Sequence, residues 1–449
     1  MPAPTYSYWL KSGIYSGLQK AAVLLFGIGS VLLLTRFLTK EQMGVWNLFL
    51  MITGIIEICR QSLVKNAVIK YINGHPKESH RHIEGAALGL NVVITLVTGI
   101  VLAVAIVPLS GVLQAPDLDL VVWYFLPGLL LLIPFSHFEW MQNANADFKG
   151  IFWAYTCRQG TAFGLIVAHL VFQGPIGLLD LVLYFNAGIV AGTVAGWFFA
   201  RKFISGAVKF HAEWMGRLWQ FGRFVFATNI SSSIFRNTDQ FIVSSLISAP
   251  AVAMYGVCLR VSNLVDMPSQ VLGDILFPRS AKMMEGGNLA GVRYYYEKAV
   301  GSILAIAVPA SIVILLLPRL VIGIIAGAAY MEAATLLQLT ILYGLFLPFI
   351  KQFGTIMDSI GKPKMNFYVI TTTALLNVPI CYGFTKAFGL HGAAYGMMTS
   401  YFICFLITQV YLRKTLGTNF LRTIGYSVRF YPEMYQVLRQ RFILKPGSE

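Results

Sequence analysis

Charge is what this chain has least of. Asp, Glu, Lys and Arg make up 12% of its 449 residues, while 57% are hydrophobic. Soluble domains carry roughly twice that charged share, so most of this surface does not meet water. Catalytic signatures are missing too. No glycine-rich loop ends in Lys followed by Ser or Thr, which excludes direct use of ATP in a Walker-type site. No HExxH, CxxC or nucleophile-elbow pattern occurs, and no polar stretch is long enough to house a catalytic domain. The cysteines are few: Cys59, Cys157, Cys258, Cys381 and Cys404 are scattered through apolar segments without paired spacing. That excludes a disulfide framework or a metal cluster and leaves them as small hydrophobic side chains.

What the chain does have is apolar runs of about 20 residues, each long enough to cross a bilayer as a helix. They are too uniformly hydrophobic for the alternating strands of a barrel. The first run, Ile14 to Thr35, is long enough to stay as a span rather than be cleaved as a signal. Twelve spans are predicted, near 14–35, 43–64, 85–107, 120–141, 151–172, 177–200, 219–247, 252–276, 299–317, 333–357, 366–386 and 392–412. The fold class is thus an all-α polytopic membrane protein of about 12 transmembrane helices. The seventh span is the least hydrophobic, because Asn229, Ser231, Ser232, Ser233, Arg236, Asn237, Thr238 and Asp239 interrupt it.

A net charge of +15 invites a nucleic-acid reading, but the basic residues form no single stripe. They lie between spans, alternating in density from one side to the other. One side carries Lys65, Lys70, Lys77 and Arg81, then Lys149, then Arg201, Lys202, Lys209 and Arg217. It continues with Arg279, Lys282, Arg293, Lys298, Lys362 and Lys364. The other side carries little beyond Arg36, Lys40, Arg319 and Lys386, and holds Asp117, Asp119 and Asp180. The positive-inside bias then places both termini in the cytoplasm. The end of the chain mixes Arg422, Arg429, Arg439, Arg441 and Lys445 with Phe420, Tyr426, Phe430, Tyr431, Tyr435 and Phe442. Such a basic-aromatic segment can lie on an anionic leaflet.

Shifting the sequence by 209 positions pairs Trp46 with Tyr255, Glu57 with Asp266, Gln61 with Gln270 and Lys70 with Arg279. Gly174 and Gly177 find a weaker echo in Gly389 and Gly392. Two six-span halves of the same orientation follow, related by a pseudo-twofold axis along the membrane normal. The expected division is residues 1–205 as an N-terminal six-helix bundle, 206–415 as a C-terminal one, and 416–449 as a basic amphipathic cytoplasmic tail.

Ionisable residues at bilayer depth are costly and mark functional or packing interiors. Here they are Lys20 in span one, Glu57, Arg60 and Gln61 in span two, and Arg236 and Asp239 in span seven. Arg260, Asp266, Gln270 and Asp274 follow in span eight, and Lys351 in span ten. Glu57, Arg60 and Gln61 share a helical face, as do Asp266, Gln270 and Asp274. Two arrangements use such a set: a polar cavity for an anionic headgroup, or ion pairs that lock helix to helix. His137 and Glu139 read as interfacial, and His169 and His391 as structural.

The stretch from Asn237 to Met283, NTDQFIVSSLISAPAVAMYGVCLRVSNLVDMPSQVLGDILFPRSAKM, resembles spans seven and eight of polysaccharide and O-antigen flippases of the multidrug/oligosaccharidyl-lipid/polysaccharide (MOP, MATE-like) superfamily. It has the Asp before a short outer turn and the Phe277-Pro278-Arg279 close. LTRFLTKEQMGVWNLFLMITGI and GLHGAAYGMMTSY are similar to the family's second and twelfth spans. The resemblance implies a V-shaped pair of six-helix bundles and alternating access. It also implies a polyprenyl-diphosphate-linked oligosaccharide cargo, moved from the cytoplasmic to the outer leaflet of a bacterial inner membrane. Lipid II flippases typically have two further spans that are not found here, which favours the O-antigen, capsule or exopolysaccharide branch.

On this reading Lys20, Arg236, Arg260 and Lys351 attract the diphosphate-sugar headgroup. Glu57, Asp239 and Asp266 position those cations or bind a coupling ion. No cofactor is expected; sodium, protons or the membrane potential would drive transport. Partners are the lipid-linked sugar, membrane lipids and other glycan-assembly proteins such as a polymerase, with no nucleic acid. The alternatives are a drug/cation antiporter of the same superfamily, a non-transporting membrane scaffold, and a membrane glycosyltransferase, which the lack of a large outer loop disfavours.

Overall fold

A computed structural model describes residues 6–204 and 211–443, and every regular element among them is helical. The chain divides into two compact units, Met1–Ser233 with Ser248–Ala253, and Ile234–Ile247 with Met254–Glu449.

The first unit holds α1 (Tyr6–Phe37), α2 (Lys40–Gly74), α3 (Lys77–Val112), α4 (Leu118–Ala144), α5 (Phe148–Phe172) and α6 (Leu178–Ala200). The beginning of α7 (Ala212–Leu246) belongs to it as well. Local chemistry sets the helix starts. Thr39 caps α2 by accepting from Gln42 N at 3.1 Å, and Gln42 returns the contact to Thr39 N, so two otherwise orphaned N–H groups are satisfied. Asp147 caps α5 by accepting from Gly150 N. Within the unit α5 packs on α1 and α6, and α4 packs on α2, α3 and α6. Val64 and Val68 of α2, Ile83 and Ala87 of α3 and Trp140 of α4 close over Leu218 of α7. Toward the other end Phe49, Phe125 and Phe185 meet edge to face at 5.3–5.9 Å. In contrast, α3 exposes Val97, Ile100, Val101 and Val104 at 55–73% along one stretch. A contiguous apolar face of that kind belongs against lipid tails.

The second unit holds α8 (Ala249–Val265, from Met254 onward), α9 (Met267–Glu285), α10 (Leu289–Leu316) and α11 (Pro318–Ile325). A 3₁₀ turn (Ala328–Ala333), α12 (Ala334–Gly344), α13 (Leu347–Ser359), α14 (Pro363–Leu416) and α15 (Phe420–Ile443) complete it. Here the expected spans differ in their continuity. Span eight is broken at Asp266, where Pro268 lacks the N–H that would continue the helical ladder. Span ten breaks between Gly344 and Leu347, again with a proline, Pro348, in the first turn of the new helix. Spans eleven and twelve are, as expected, two helices; they follow one another without a loop and share the label α14. They part at Gly389, at φ 60° and ψ −140°, a backbone region that only glycine enters cheaply. The second packs back on the first, where a Cβ on Gly396 would lie 2.7 Å from Cys381 Cα. In all, eight helical stretches among the described residues are long and apolar enough to cross a membrane by length and composition.

α10 is the hub of this unit, packed against α9, α13 and α15. Tyr296, Val300, Phe349, Phe353 and Cys404 form its core. The terminal helix α15 does not stand apart. It crosses α10 at Gly301, where an added Cβ would lie 2.6 Å from Tyr426 Cβ, and Tyr431 donates to Ala305 O at 2.6 Å. Asn419 N donates to Glu297 at 2.8 Å, and Lys298 pairs with Glu433 at 2.8 Å. The side chains of Arg439, Arg441, Phe442 and Lys445 lie outside the described residues.

Candidate functional site

Buried charge in the first unit is organised around α2. Glu57 meets Arg158 of α5: Nη1 donates to Oε2 at 3.3 Å, and Nη2 makes a second, shorter contact with Oε1. The Arg158 side chain is 6% exposed and lies 5.0 Å from the Phe135 ring and 5.5 Å from the Phe185 ring. There is room for it because α6 presents glycines here; a Cβ on Gly192 would sit 2.7 Å from Arg158 Cβ. Arg60 sends its hydrogen bond elsewhere. Its Nη2 donates to Asn91 Oδ1 of α3 at 2.8 Å, and Asn91 Nδ2 donates to Ile133 O at 2.9 Å, beside Pro134 in α4. Arg60 is 1% exposed, and its Nε and Nη1 find no hydrogen-bond partner among the described residues. Glu57 and Arg60, neighbours on one face in sequence, thus tie α2 to two different helices.

One turn further along α2 lies a cavity of about 210 Å³, lined by Ser16 and Gln19 of α1, Gln61 and Lys65 of α2, Glu139 and Asn143 of α4, and Phe148, Ile151 and Tyr155 of α5. Its wall carries a closed ionic contact. Lys65 Nζ donates to Glu139 Oε1 at 2.7 Å, and Tyr155 OH donates to Oε2 at 3.0 Å. Both carboxylate oxygens are occupied, so the cavity is polar without net charge. The Gln19 and Gln61 amides form no hydrogen bond with another described residue. Glu139 and His137, read as interfacial from the sequence, are buried in the protein and partnered there. Glu139 is 4% exposed, and His137 Nε2 lies 3.6 Å from Glu84 Oε1 with both side chains buried. Lys65 of α2 and Glu84 of α3 are the polar partners that make that burial tolerable.

In the second unit Lys351 of α13 and Asp266, at the break between α8 and α9, form a close ion pair. Gln352, the next residue, donates to Ser269 O at 2.7 Å. The two broken helices are joined where their ladders are interrupted. Asp239 of α7 is fully buried; its Oδ1 accepts its own helix's Gln240 N at 2.8 Å, and the Tyr255 hydroxyl is its polar neighbour. Nearby, Tyr343 stacks on Tyr401 at 5.2 Å, and Tyr401 meets Phe235 at 5.0 Å. Asn377 ties α14 to the same place by donating to Phe235 O at 3.2 Å. Arg236 and Gln270 are exposed and Arg260 is half-buried; in the first unit, Lys20 is exposed. The side chains of Asp274 and Pro278 lie outside the described residues. Among the described residues no group of three His, Cys, Asp or Glu could hold a metal ion. His169 contacts the Tyr184 hydroxyl at 2.7 Å and His391 that of Thr335 at 3.1 Å.

Several residues of these networks are absent from the intramembrane set read off the sequence, Arg158, Lys65 and Tyr155 among them. Arg158 had a signal, a lone cation deep inside the run 151–172, the same feature that singles out Glu57. Lys65 sits at a span end where topology already accounts for it, and a tyrosine in an apolar run carries no mark at all.

The helical arrangement is similar to that of an inward-facing MATE-family multidrug transporter of the MOP superfamily, with a TM-score of 0.78 over 88% of this chain and 94% of that one, at 14% identity. It is also similar to the lipid II flippase MurJ in an inward closed conformation, with a TM-score of 0.75 over 98% and 94%, again at 14% identity. The protein is thus a multi-pass, all-α membrane protein with the MOP-superfamily fold. Residues 33–335 match the family model described as "Polysaccharide biosynthesis protein", and the chain belongs to that family. Two curated relatives resemble it in sequence. One is an uncharacterized membrane protein of Methanocaldococcus jannaschii, 26% identical over 58% of this chain and 52% of its own length. The other, from Shigella flexneri, is named "Putative O-antigen transporter" and is 24% identical over 54% of this chain and 61% of its own length. The matches therefore span about half to three-fifths of the curated relatives. Those of the four whose names carry a function are transporters or flippases, not enzymes.

Proposed function

We propose that this protein is a flippase that carries a polyprenyl-diphosphate-linked oligosaccharide from the cytoplasmic to the outer leaflet of the cytoplasmic membrane by alternating access. The observation that carries the reading is the neutral polar cavity of the first unit. Amide side chains both donate and accept, as sugar hydroxyls do. Gln19, Gln61 and Asn143 offer that chemistry around a space of about 210 Å³, on the scale of one sugar ring. A drug/cation antiporter would need an uncompensated carboxylate there, and Glu139 is compensated by Lys65 and Tyr155.

The diphosphate would be drawn by Arg236, which is exposed on α7. Glu57 and Asp266 serve to hold the units' own helices together through Arg158 and Lys351. Asp239, buried beside Tyr255, is the group through which sodium or a proton would couple. The membrane potential is a further driving force, since each charge crossing 100 mV is worth about 2.3 kcal/mol. Both termini would be cytoplasmic, and glycan-assembly enzymes would act before and after transport.

The test is mass spectrometry of membrane lipids from cells with and without the gene, alongside staining of surface glycan. Accumulated polyprenyl-diphosphate oligosaccharide with loss of surface glycan is expected. Unchanged lipids and glycan in a strain carrying no second flippase would overturn the reading.

A further inference from the structure

A recess of about 630 Å³ opens where α14 ends and α15 begins. Its polar wall is Arg293 of α10, Gln409 and Arg413 of α14, and Arg422 of α15. No carboxylate pairs with any of the three guanidinium groups among the described residues. The acidic group close by, Glu297, is 2% exposed and accepts the Asn419 N–H, and Gln409 is engaged with the Tyr296 hydroxyl at 3.1 Å. The Arg293 guanidinium lies beside Gly417, where an added Cβ would be 3.6 Å from it.

Three cations around one recess repel one another unless an anion from outside completes the site. The rim says what kind of anion. Val410 and, one turn earlier, Leu406 expose an apolar strip on α14, at 54% and 44%, and Phe420 and Leu421 expose another at the start of α15, at 46% and 74%. We propose that this recess binds an anionic phospholipid, its phosphodiester between Arg293, Arg413 and Arg422 and its two acyl chains along the two apolar strips. Arginine matches phosphate with forked donors, and basic pockets of this type at membrane helix ends hold lipid headgroups. A soluble phosphate would use the cations and leave the strips bare. A polyprenyl diphosphate has one chain for two strips. Bound there, the lipid fixes the start of α15 and so supports its crossing with α10.

The test uses the purified full-length protein, delipidated in detergent, with palmitoyl-oleoyl phosphatidylglycerol as the probe. A ligand that binds the folded state raises the melting midpoint in a saturable way. Phosphatidylglycerol is expected to raise it by several degrees and phosphatidylcholine not to. Arg413→Gln/Arg422→Gln is expected to lose the rise while melting normally without lipid, and Arg413→Lys/Arg422→Lys to keep part of it. If the double variant does not fold, Arg422→Gln alone, at an exposed site, serves. An equal rise with phosphatidylcholine, or an undiminished rise in the glutamine variants, overturns the site. An equal rise with inorganic phosphate makes it a soluble-anion pocket. Displacement of phosphatidylglycerol by stoichiometric undecaprenyl diphosphate makes it a cargo-lipid site. Either result overturns the phospholipid assignment.

Discussion

Arg158 is held by a two-pronged contact with Glu57, two aromatic faces, and glycines that leave it room. Removing one partner of such a buried pair leaves the other charge stranded, at a cost of about 3–5 kcal/mol. Arg158→Met should therefore lower the unfolding midpoint in detergent sharply. Glu57→Gln/Arg158→Met should recover much of the loss, because neither charge is then left alone. If the double variant is as unstable as the single, the pair is not what holds α2 to α5. Gln61 is the opposite case, an amide on a cavity wall with nothing to hold. Gln61→Leu should leave the melting midpoint unchanged and slow flipping of the host's own lipid-linked oligosaccharide in proteoliposomes by about tenfold, the worth of roughly one hydrogen bond to a sugar hydroxyl. Equal flipping rates would remove the sugar from that cavity without touching the transport assignment. If neither protein flips the lipid, the transport assignment itself fails.

Among the helices, breaks matter more than lengths. Asp266 and the Gly344–Leu347 interruption weaken two ladders, and the Lys351 contact and the Gln352–Ser269 hydrogen bond bridge them. Gly389 turns α14 at a backbone angle closed to other residues, so Gly389→Ala should cost about 1–3 kcal/mol in unfolding experiments. A stability equal to native would mean the turn can relax. Gly301 admits Tyr426 at the α10–α15 crossing. Gly301→Leu should expose residues 420–436 to protease while the remaining helices keep their hydrogen-exchange protection. Continued protection of that segment would show α15 anchored from elsewhere.

At the scale of the whole molecule, the two units use matched carboxylates in different ways. Glu57 and Asp266 coincide under the 209-residue shift, yet Glu57 is held by α5 and Asp266 by α13. The position that matches Lys351 in the first unit is Gln142, which donates to Gly196 O at 3.0 Å. Positions that match under the shift thus carry different polar partners in the two units. Reporters fused to each terminus should both report the cytoplasmic side. An outward report from both would invert the assigned topology, and from one alone would overturn the even number of spans.

Membrane residence, helical class and approximate span positions were legible in the sequence, because each depends on the local density of apolar residues against a bilayer of fixed thickness. That Glu57, Asp239, Asp266 and Lys351 would need partners was legible for the same reason: charge in an apolar run has to be accounted for. Pairing was not. Whether Glu57 meets Arg60 on its own helix or Arg158 a hundred residues away depends on which faces the helices present to one another. Periodicity places residues on a face but does not choose the neighbour. The cavity beside Gln61, the packing of the two α14 helices on one another and the docking of α15 on Gly301 were likewise decided only in three dimensions. The last two arise from glycines that permit close approach, and a glycine in a sequence does not say what approaches it.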